Sequence, residues 1–212
     1  MLSGIDICIF THYPHQFRGI MKRIVLFIGF LLLVLLQCCK RHQDTAELLQ
    51  RYIQAANRHD ISAIRTKFAN DIVWILGSDT LIGKDAVIAP HEFDAGAGTR
   101  LLVKSYTVKG DTVESVLEET NDYMDTLGMP SIIHYSRFVF RDDLLVRIEN
   151  IRPGLIPPEV DSIDQLWNYW IQITHPEEWA QIVEPNGSIN FSRKNGALLL
   201  RLACEWRQSV ER

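Results

Sequence analysis

The feature that most constrains this chain is a long stretch, from Thr99 to Arg152, in which almost every segment has the pattern of a β-strand. Apolar and polar residues alternate there, and short turns rich in Gly, Asp and Pro interrupt the pattern. Four strands are predicted, at Arg100–Val108, Thr112–Tyr123, Ser131–Arg141 and Leu144–Arg152. Because short connections join them, neighbouring strands run antiparallel. Any fold for this chain is therefore built around an antiparallel sheet.

Amphipathic helices are predicted before this sheet. Asp44 and Glu47 have the spacing of a capping box. The apolar residues that follow recur at helical intervals: Leu48, Leu49, Tyr52, Ile53 and Ala56. Asp60 can cap a second short helix. The remaining elements before the sheet are a buried strand at 72–76, a short strand at 81–83 and a helical turn at 84–91 that Pro90 interrupts.

The chain after the sheet is predicted to be helical. The sheet ends at Pro153-Gly154 and Pro157-Pro158, and helices begin near Asp161, Pro176 and Ser192. Trp167, Trp170 and Trp206 are expected to pack these helices onto the body of the protein.

Residues 21–39 carry the pattern of a bacterial export signal. A basic pair opens it, and the uncharged apolar run at 24–36 that follows is shorter than the roughly 20 residues of a membrane-spanning helix. The run ends at Cys38 and Cys39, each with a leucine three residues earlier, which resembles the lipobox of bacterial lipoproteins. We therefore expect an exported protein, held at the cell membrane or outer membrane by lipid on Cys38 or Cys39 or by a retained N-terminal anchor. Residues 1–20 are interpreted as a doubtful leader.

Composition argues against several classes of function. The chain of 212 residues has a formal net charge of −4 and no basic patch interleaved with aromatics, so nucleic acid is not an expected partner. Its four cysteines, which include Cys8 and Cys204, form neither a disulfide framework nor a zinc-binding spacing. No phosphate loop or nucleophile motif is present. We predict no metal and no cofactor.

Three segments, taken in order, resemble the NTF2-like superfamily and, within it, the SnoaL-like proteins. They are Tyr52–Asp60 (YIQAANRHD), Ile82–Val87 (IGKDAV) and Arg137–Glu149 (RFVFRDDLLVRIE). The resemblance extends over about residues 44–152 and excludes the tail helices. Asp143 departs from the family, which usually has Gly in that turn.

The resemblance implies an α+β fold, an NTF2-like cone in which a curved antiparallel sheet packs on the N-terminal helices and leaves an apolar cavity. The chain is thus predicted to have three parts: a doubtful leader and signal at 1–39, a SnoaL-like domain at 40–153 and a C-terminal helical extension at 154–212. The expected partner is a small apolar molecule. Two alternatives stay open: an isomerase, cyclase or hydratase that uses acid–base chemistry, and a non-catalytic, homodimeric interaction module. His91 and Phe93 fall where the family often has a flexible lip.

The predicted hairpin orders the candidate ligand contacts. If its turn holds two residues, counting outward along both strands places Tyr135, Arg137 and Asn150 on one face, which is expected to line the cavity. By the resemblance, Asn150 occupies the position of the catalytic carboxylate in family enzymes, and an amide cannot take up a proton at neutral pH. A shift of one residue would instead turn His134 and Glu149 inward.

Other side chains are candidates by residue type. Tyr52 and Trp74 are predicted to form walls of the cavity. The candidates for proton transfer are His134, Glu118 and Glu149. A pair of carboxylates drawn from Glu118, Glu119 and Asp122 could also face the cavity, with the pKa of one raised by burial.

Overall fold

The computed structural model describes residues 45–77 and 79–211. The predicted leader, the export signal and both candidate lipid-attachment sites, Cys38 and Cys39, lie outside the described residues, as does Asp44. No helix in the described part of the chain is long and apolar enough to cross a membrane.

The described residues form helices and strands in an α+β arrangement. The helices are α1 (45–57), α2 (Ile61–Lys67), α3 (Lys84–Ala97), α4 (Asp122–Leu127), α5 (Pro158–Thr174), α6 (Pro176–Ile182) and α7 (Arg193–Val210). The strands are β1 (Phe68–Leu76), β2 (Asp79–Ile82), β3 (Arg100–Lys109), β4 (Thr112–Thr120), β5 (Ile132–Arg141) and β6 (Leu144–Leu155).

All six strands belong to one curved sheet, in the order β2-β1-β6-β5-β4-β3. The predicted antiparallel pairing of β3, β4, β5 and β6 is confirmed, whereas β1 joins the sheet by pairing parallel with β6. The register shifts once between β3 and β4 and three times between β5 and β6. Such irregularities bend and twist strands, which accounts for the curvature.

The β5–β6 hairpin turns where the sequence predicts, but its register then departs from a simple count. Asp142 and Asp143 both have positive φ, as a two-residue type I′ turn requires, and Arg141 pairs with Leu144. The shift between Val139 and Phe140 moves the next four pairs, through Ser136 with Asn150, by one position, and two further shifts follow at Tyr135 and Ile133. Because side chains alternate between the two faces, the prediction that Tyr135 and Arg137 share a face with Asn150 is wrong.

Two helices differ from the sequence prediction. The turn predicted at 84–91 is a 14-residue helix, α3, which continues through Pro90 and ends at the left-handed Gly98. Burial of its apolar face, including Val87 and Ile88, outweighs the hydrogen bond that Pro90 cannot donate. Strand β4 ends at Thr120 rather than Tyr123, because the Asn121 side chain accepts a hydrogen bond from the Met124 N–H and starts α4.

Two boundaries after the sheet also move. Strand β6 continues through Pro153 to Leu155, where β5 alone pairs with it, so the missing N–H of Pro153 interrupts no second ladder. Helix α5 begins at Pro158 rather than near Asp161, since proline suits the first helical position. The predicted start at Ser192 is confirmed by a hydrogen bond from the Asn195 N–H to the Ser192 hydroxyl.

Two apolar cores hold the fold together. One lies between helices α1–α3 and the sheet, and the other lies beneath α4–α7 around Trp167. Helices α3 and α7 cross at Gly96 and Gly196, where a Cβ on either residue would overlap the backbone of the other helix. The absence of side chains at this crossing lets α7 lie directly on α3.

Candidate functional site

The interior of the described residues contains two adjoining cavities. The cone chamber, of about 100 Å³, lies between α1, α3 and the concave face of the sheet. The helical chamber, of about 530 Å³, lies among α3, the end of β4, α4 and the tail helices α5–α7. Asp94, Thr99 and Glu119 belong to the walls of both chambers. The boundary between the chambers is therefore polar.

The cone chamber has an aromatic wall around His91. The Tyr52 hydroxyl lies 3.4 Å from His91 Nε2, and the Trp74 ring stacks on the imidazole with 5.3 Å between ring centroids. Burial lowers the pKa of His91 to about 4 and raises the pKa of Tyr52 above its usual range. Both side chains are therefore neutral at pH 7, and this wall offers rings and one weak hydrogen bond rather than charge.

Asp94 lies on α3 at the boundary between the chambers. Thr99 Oγ1 donates a hydrogen bond to Asp94 Oδ1 at 3.1 Å, and His91 Nδ1 lies 3.9 Å from Oδ2. Burial, followed by the negative charge of Glu119, raises the pKa of Asp94 to about 7, although the Thr99 hydrogen bond and His134 act in the opposite direction. The carboxyl group is thus divided between its protonated and ionised forms at neutral pH.

Glu119 and His134 lie close together across β4 and β5. His134 Nε2 lies 3.0 Å from Glu119 Oε2, and each side chain is a little over one quarter exposed. Nearby, the Ser136 hydroxyl donates a hydrogen bond to Asn150 Oδ1 at 3.2 Å. The boundary and the sheet wall thus present ionisable groups and hydrogen-bonding groups to the same small space.

The predicted site residues divide between the two faces of the sheet. Tyr52, Trp74, His134 and Asn150 line the cone chamber. Tyr135, Arg137, Glu118 and Glu149 lie on the other face, so the predicted inward orientation of Tyr135 and Arg137 is wrong. The alternative register is right for His134 and wrong for Glu149, because the register shifts change the pairing of β5 without turning Glu149 inward.

On the outer face of the sheet, Arg137 and Glu149 take part in ion pairs. Arg137 bridges Glu114 at 2.9 Å and Glu149 at 2.8 Å. Burial opposes ionisation of Glu149, but hydrogen bonds from Arg147 and Arg137 outweigh it and lower its pKa. Glu149 is therefore ionised at neutral pH and is poorly suited to donate a proton.

Glu118 and Tyr135 also have partners on the outer face. Hydrogen bonds from Lys104 and Ser131 lower the pKa of Glu118. The Arg152 guanidinium lies 3.4 Å from the centre of the Tyr135 ring. These contacts are sufficient to explain both residues as parts of the sheet surface.

Sequence reasoning missed Asp94 and the role of α3 in placing it. The prediction ended the helix at His91, so Asp94, three residues later, had no predicted position. The expected pair of carboxylates does face the interior, but its members are Glu119 and Asp94 rather than two neighbours on β4. A signal was present in the His91–Asp94 spacing, since residues three apart lie on the same face of a helix.

No group of three or more His, Cys, Asp or Glu side chains in the described part of the chain is arranged to hold a metal ion.

Comparison with known proteins gives a likeness of fold. No family model matches the chain, and no curated protein matches it. An NTF2-like protein of unknown function from Cytophaga hutchinsonii is 11% identical over 54% of this chain and 91% of that chain, with a TM-score of 0.43.

Two further solved structures are named for an activity. A candidate ketosteroid isomerase from Kribbella flavida is 15% identical over 57% of this chain and 87% of that chain, with a TM-score of 0.46. The epoxide hydrolase/cyclase-like enzyme SalBIII is 14% identical over 55% of this chain and 93% of that chain, also with a TM-score of 0.46. The described residues form an α+β fold in which a curved sheet packs on the N-terminal helices and further helices follow it, which confirms the predicted fold class.

Proposed function

We propose that this protein binds a small, largely apolar molecule in its interior, with the polar part of that molecule at the boundary formed by Asp94, Thr99 and Glu119. The observation that carries the proposal is the pair of adjoining chambers, because their walls are mainly apolar and the ionisable groups converge at one place. Binding pockets commonly combine an apolar lining with a few placed polar groups. The volume of the helical chamber, about 530 Å³, falls within their usual range.

Native mass spectrometry of the purified protein tests this proposal. We expect a small molecule to co-purify with the wild type. Thr99→Trp should displace it, because Thr99 is 6% exposed and lies in the wall of both chambers. Leu102→Trp is the matched control, since Leu102 is 57% exposed. A wild type without a bound molecule, or a Thr99→Trp protein that retains it, would contradict the proposal.

We also propose that the protein is exported and anchored at a membrane through Cys38 or Cys39. The support is the sequence pattern at 21–39. In a bacterial host, labelled palmitate should be incorporated into the wild type. Incorporation should be lost in either Cys38→Ser or Cys39→Ser, and the variant that loses it identifies the attachment site. Unlabelled wild-type protein in the cytoplasm would refute this proposal.

A second candidate function is acid–base catalysis of the isomerase, cyclase or hydratase type. The observation that favours it is Asp94, whose pKa of about 7 suits a group that exchanges protons at neutral pH. The test is a carbon-detected NMR titration of the carboxyl groups, with Asp94→Asn used to assign the signal of Asp94. A titration midpoint in the ordinary range of an aspartate would remove this candidate.

A further inference from the structure

The helical chamber has an acidic wall without cationic residues. Three carboxylates belong to its lining, from Asp94, Glu119 and Asp164, and the described residues that line it include no Lys, Arg or His. Asp164 is held in place by a hydrogen bond from Asn168 Nδ2 at 2.7 Å. Ionised carboxylates in a partly apolar cavity are less stable than in water unless hydrogen bonds or a positive charge compensate them.

Aromatic rings form much of the remaining wall. They belong to Phe93, Tyr123, Trp167 and Trp179. The rings of Tyr123 and Trp167 meet edge to face with 5.2 Å between centroids, and those of Trp167 and Trp179 do so with 6.1 Å. Aromatic faces attract cations, and they do so more strongly where water is excluded.

We propose that the helical chamber binds an organic amine that has a protonated nitrogen and a compact aromatic or alicyclic body. This inference rests on the proposed function and names the class of molecule for the same interior. At neutral pH Asp94 is partly protonated and His134 Nε2 lies 3.0 Å from Glu119, so the wall carries a partial negative charge. That charge disfavours an anionic ligand and favours an ammonium group over a plain hydrocarbon. The protonated nitrogen is placed at Glu119 and Asp94, and the body is placed against the aromatic wall.

Three probes that share one ring separate these classes: tyramine, para-ethylphenol and para-hydroxyphenylpropionate. They carry an ammonium, no charge and a carboxylate, respectively. Calorimetric titration of the purified wild type at neutral pH should show tyramine binding at least about tenfold more tightly than para-ethylphenol, with para-hydroxyphenylpropionate the weakest.

Adjacent residues of β4 provide matched variants. Glu119→Gln should weaken tyramine binding about tenfold and weaken para-ethylphenol binding by much less, and the remaining para-ethylphenol binding shows that the chamber is intact. Glu118→Gln should change neither, because Glu118 lies on the opposite face of the sheet and bonds to Lys104 and Ser131. If Glu119→Gln fails to fold, the same comparison of tyramine with para-ethylphenol is made on Asp164→Asn, which removes another carboxylate from the wall of the chamber.

The outcomes separate this inference from the proposed function. If para-ethylphenol or para-hydroxyphenylpropionate binds as tightly as tyramine, or if Glu119→Gln leaves tyramine binding unchanged, the amine inference is overturned and small-molecule binding stands. If none of the three probes binds and no molecule co-purifies with the wild type, both are overturned.

Discussion

Replacing Asp94 with asparagine should change how the stability of this protein depends on pH. The folded pKa of Asp94 is about 7, compared with 3.8 for an unperturbed aspartate. Between these two values the folded protein holds a proton that the unfolded chain has released. The free energy of unfolding of the wild type therefore falls as pH rises through this window, and the loss is complete above about pH 7.

The size of this change in stability depends on how far the pKa of Asp94 is raised and on how exposed the Asp94 side chain is to solvent. The difference between a pKa of 3.8 and a pKa of about 7 corresponds to roughly 4 kcal/mol. The Asp94 side chain is 35% accessible, so solvent screening reduces this figure, and about 1–2 kcal/mol is expected. The Asp94→Asn protein has no carboxyl group at this position, so its stability does not fall in this way as pH rises. Its stability relative to the wild type should thus increase by about 1–2 kcal/mol from about pH 4 to about pH 8.

Urea unfolding of both proteins across this pH range measures the difference. His91 contributes with the opposite sign, since its folded pKa of about 4 is below its ordinary value of 6.5 and its contribution is lost as pH falls. That contribution is present in both proteins and cancels in the difference. Asp85→Asn, which removes an exposed charge from the same helix, is the control. Parallel curves for the wild type and Asp94→Asn would refute the reasoning.

Three further substitutions test other parts of the structure. Gly196→Ala should lower the free energy of unfolding by about 1–3 kcal/mol in urea titration, because its Cβ meets the α3 backbone; an equal loss in Ala197→Ser, at the exposed neighbour, would contradict this. Tyr52→Phe should cost about 0.5–1.5 kcal/mol through loss of the buried hydrogen bond to His91, and an unchanged urea midpoint would show that this long bond contributes nothing. Arg137→Ala should leave small-molecule binding unchanged in calorimetry, because Arg137 lies on the outer face of the sheet; weakened binding would refute that placement.

The third prediction from the sequence, a homodimeric interaction module, required a cavity filled by its own side chains. The described residues leave both chambers open instead. The outer face of the sheet is crossed by ion pairs that Arg137 makes with Glu114 and Glu149. A homodimer stays a prediction, which sedimentation velocity of the purified protein checks.

The strands could be predicted because the patterns that indicate them lie in short, continuous stretches of the sequence. Alternating residues and the Asp142-Asp143 turn are sufficient to locate the β5–β6 hairpin. The face of the sheet to which each side chain points could not be predicted in the same way. One extra residue in β6, near Val146, exchanges the two faces beyond it, and the sequence pattern does not reveal this residue. The assignment of Tyr135 and Arg137 failed for this reason, although the strands themselves were correct.

The candidate site was partly accessible from the sequence. The resemblance implied a cavity, and Tyr52, Trp74 and Asn150 do line the cone chamber. Asp94 was missed because Pro90 suggests the end of a helix, whereas tertiary packing carries α3 past it. The helical chamber was beyond reach because the tail helices lie outside the segments that carry the resemblance.

The crossing of Gly96 and Gly196 makes the larger cavity depend on two positions far apart in the sequence. Helix α7 contributes Leu199 to the wall of that cavity, whereas its close contact with α3 lies near the first turn of α7. A bulkier residue at either glycine would push the two helices apart, and at Gly196 it would press on the backbone of Phe93 and Ala97, which line the chamber. Natural variation at these two glycines should therefore alter which molecules fit inside, even where every wall residue is identical.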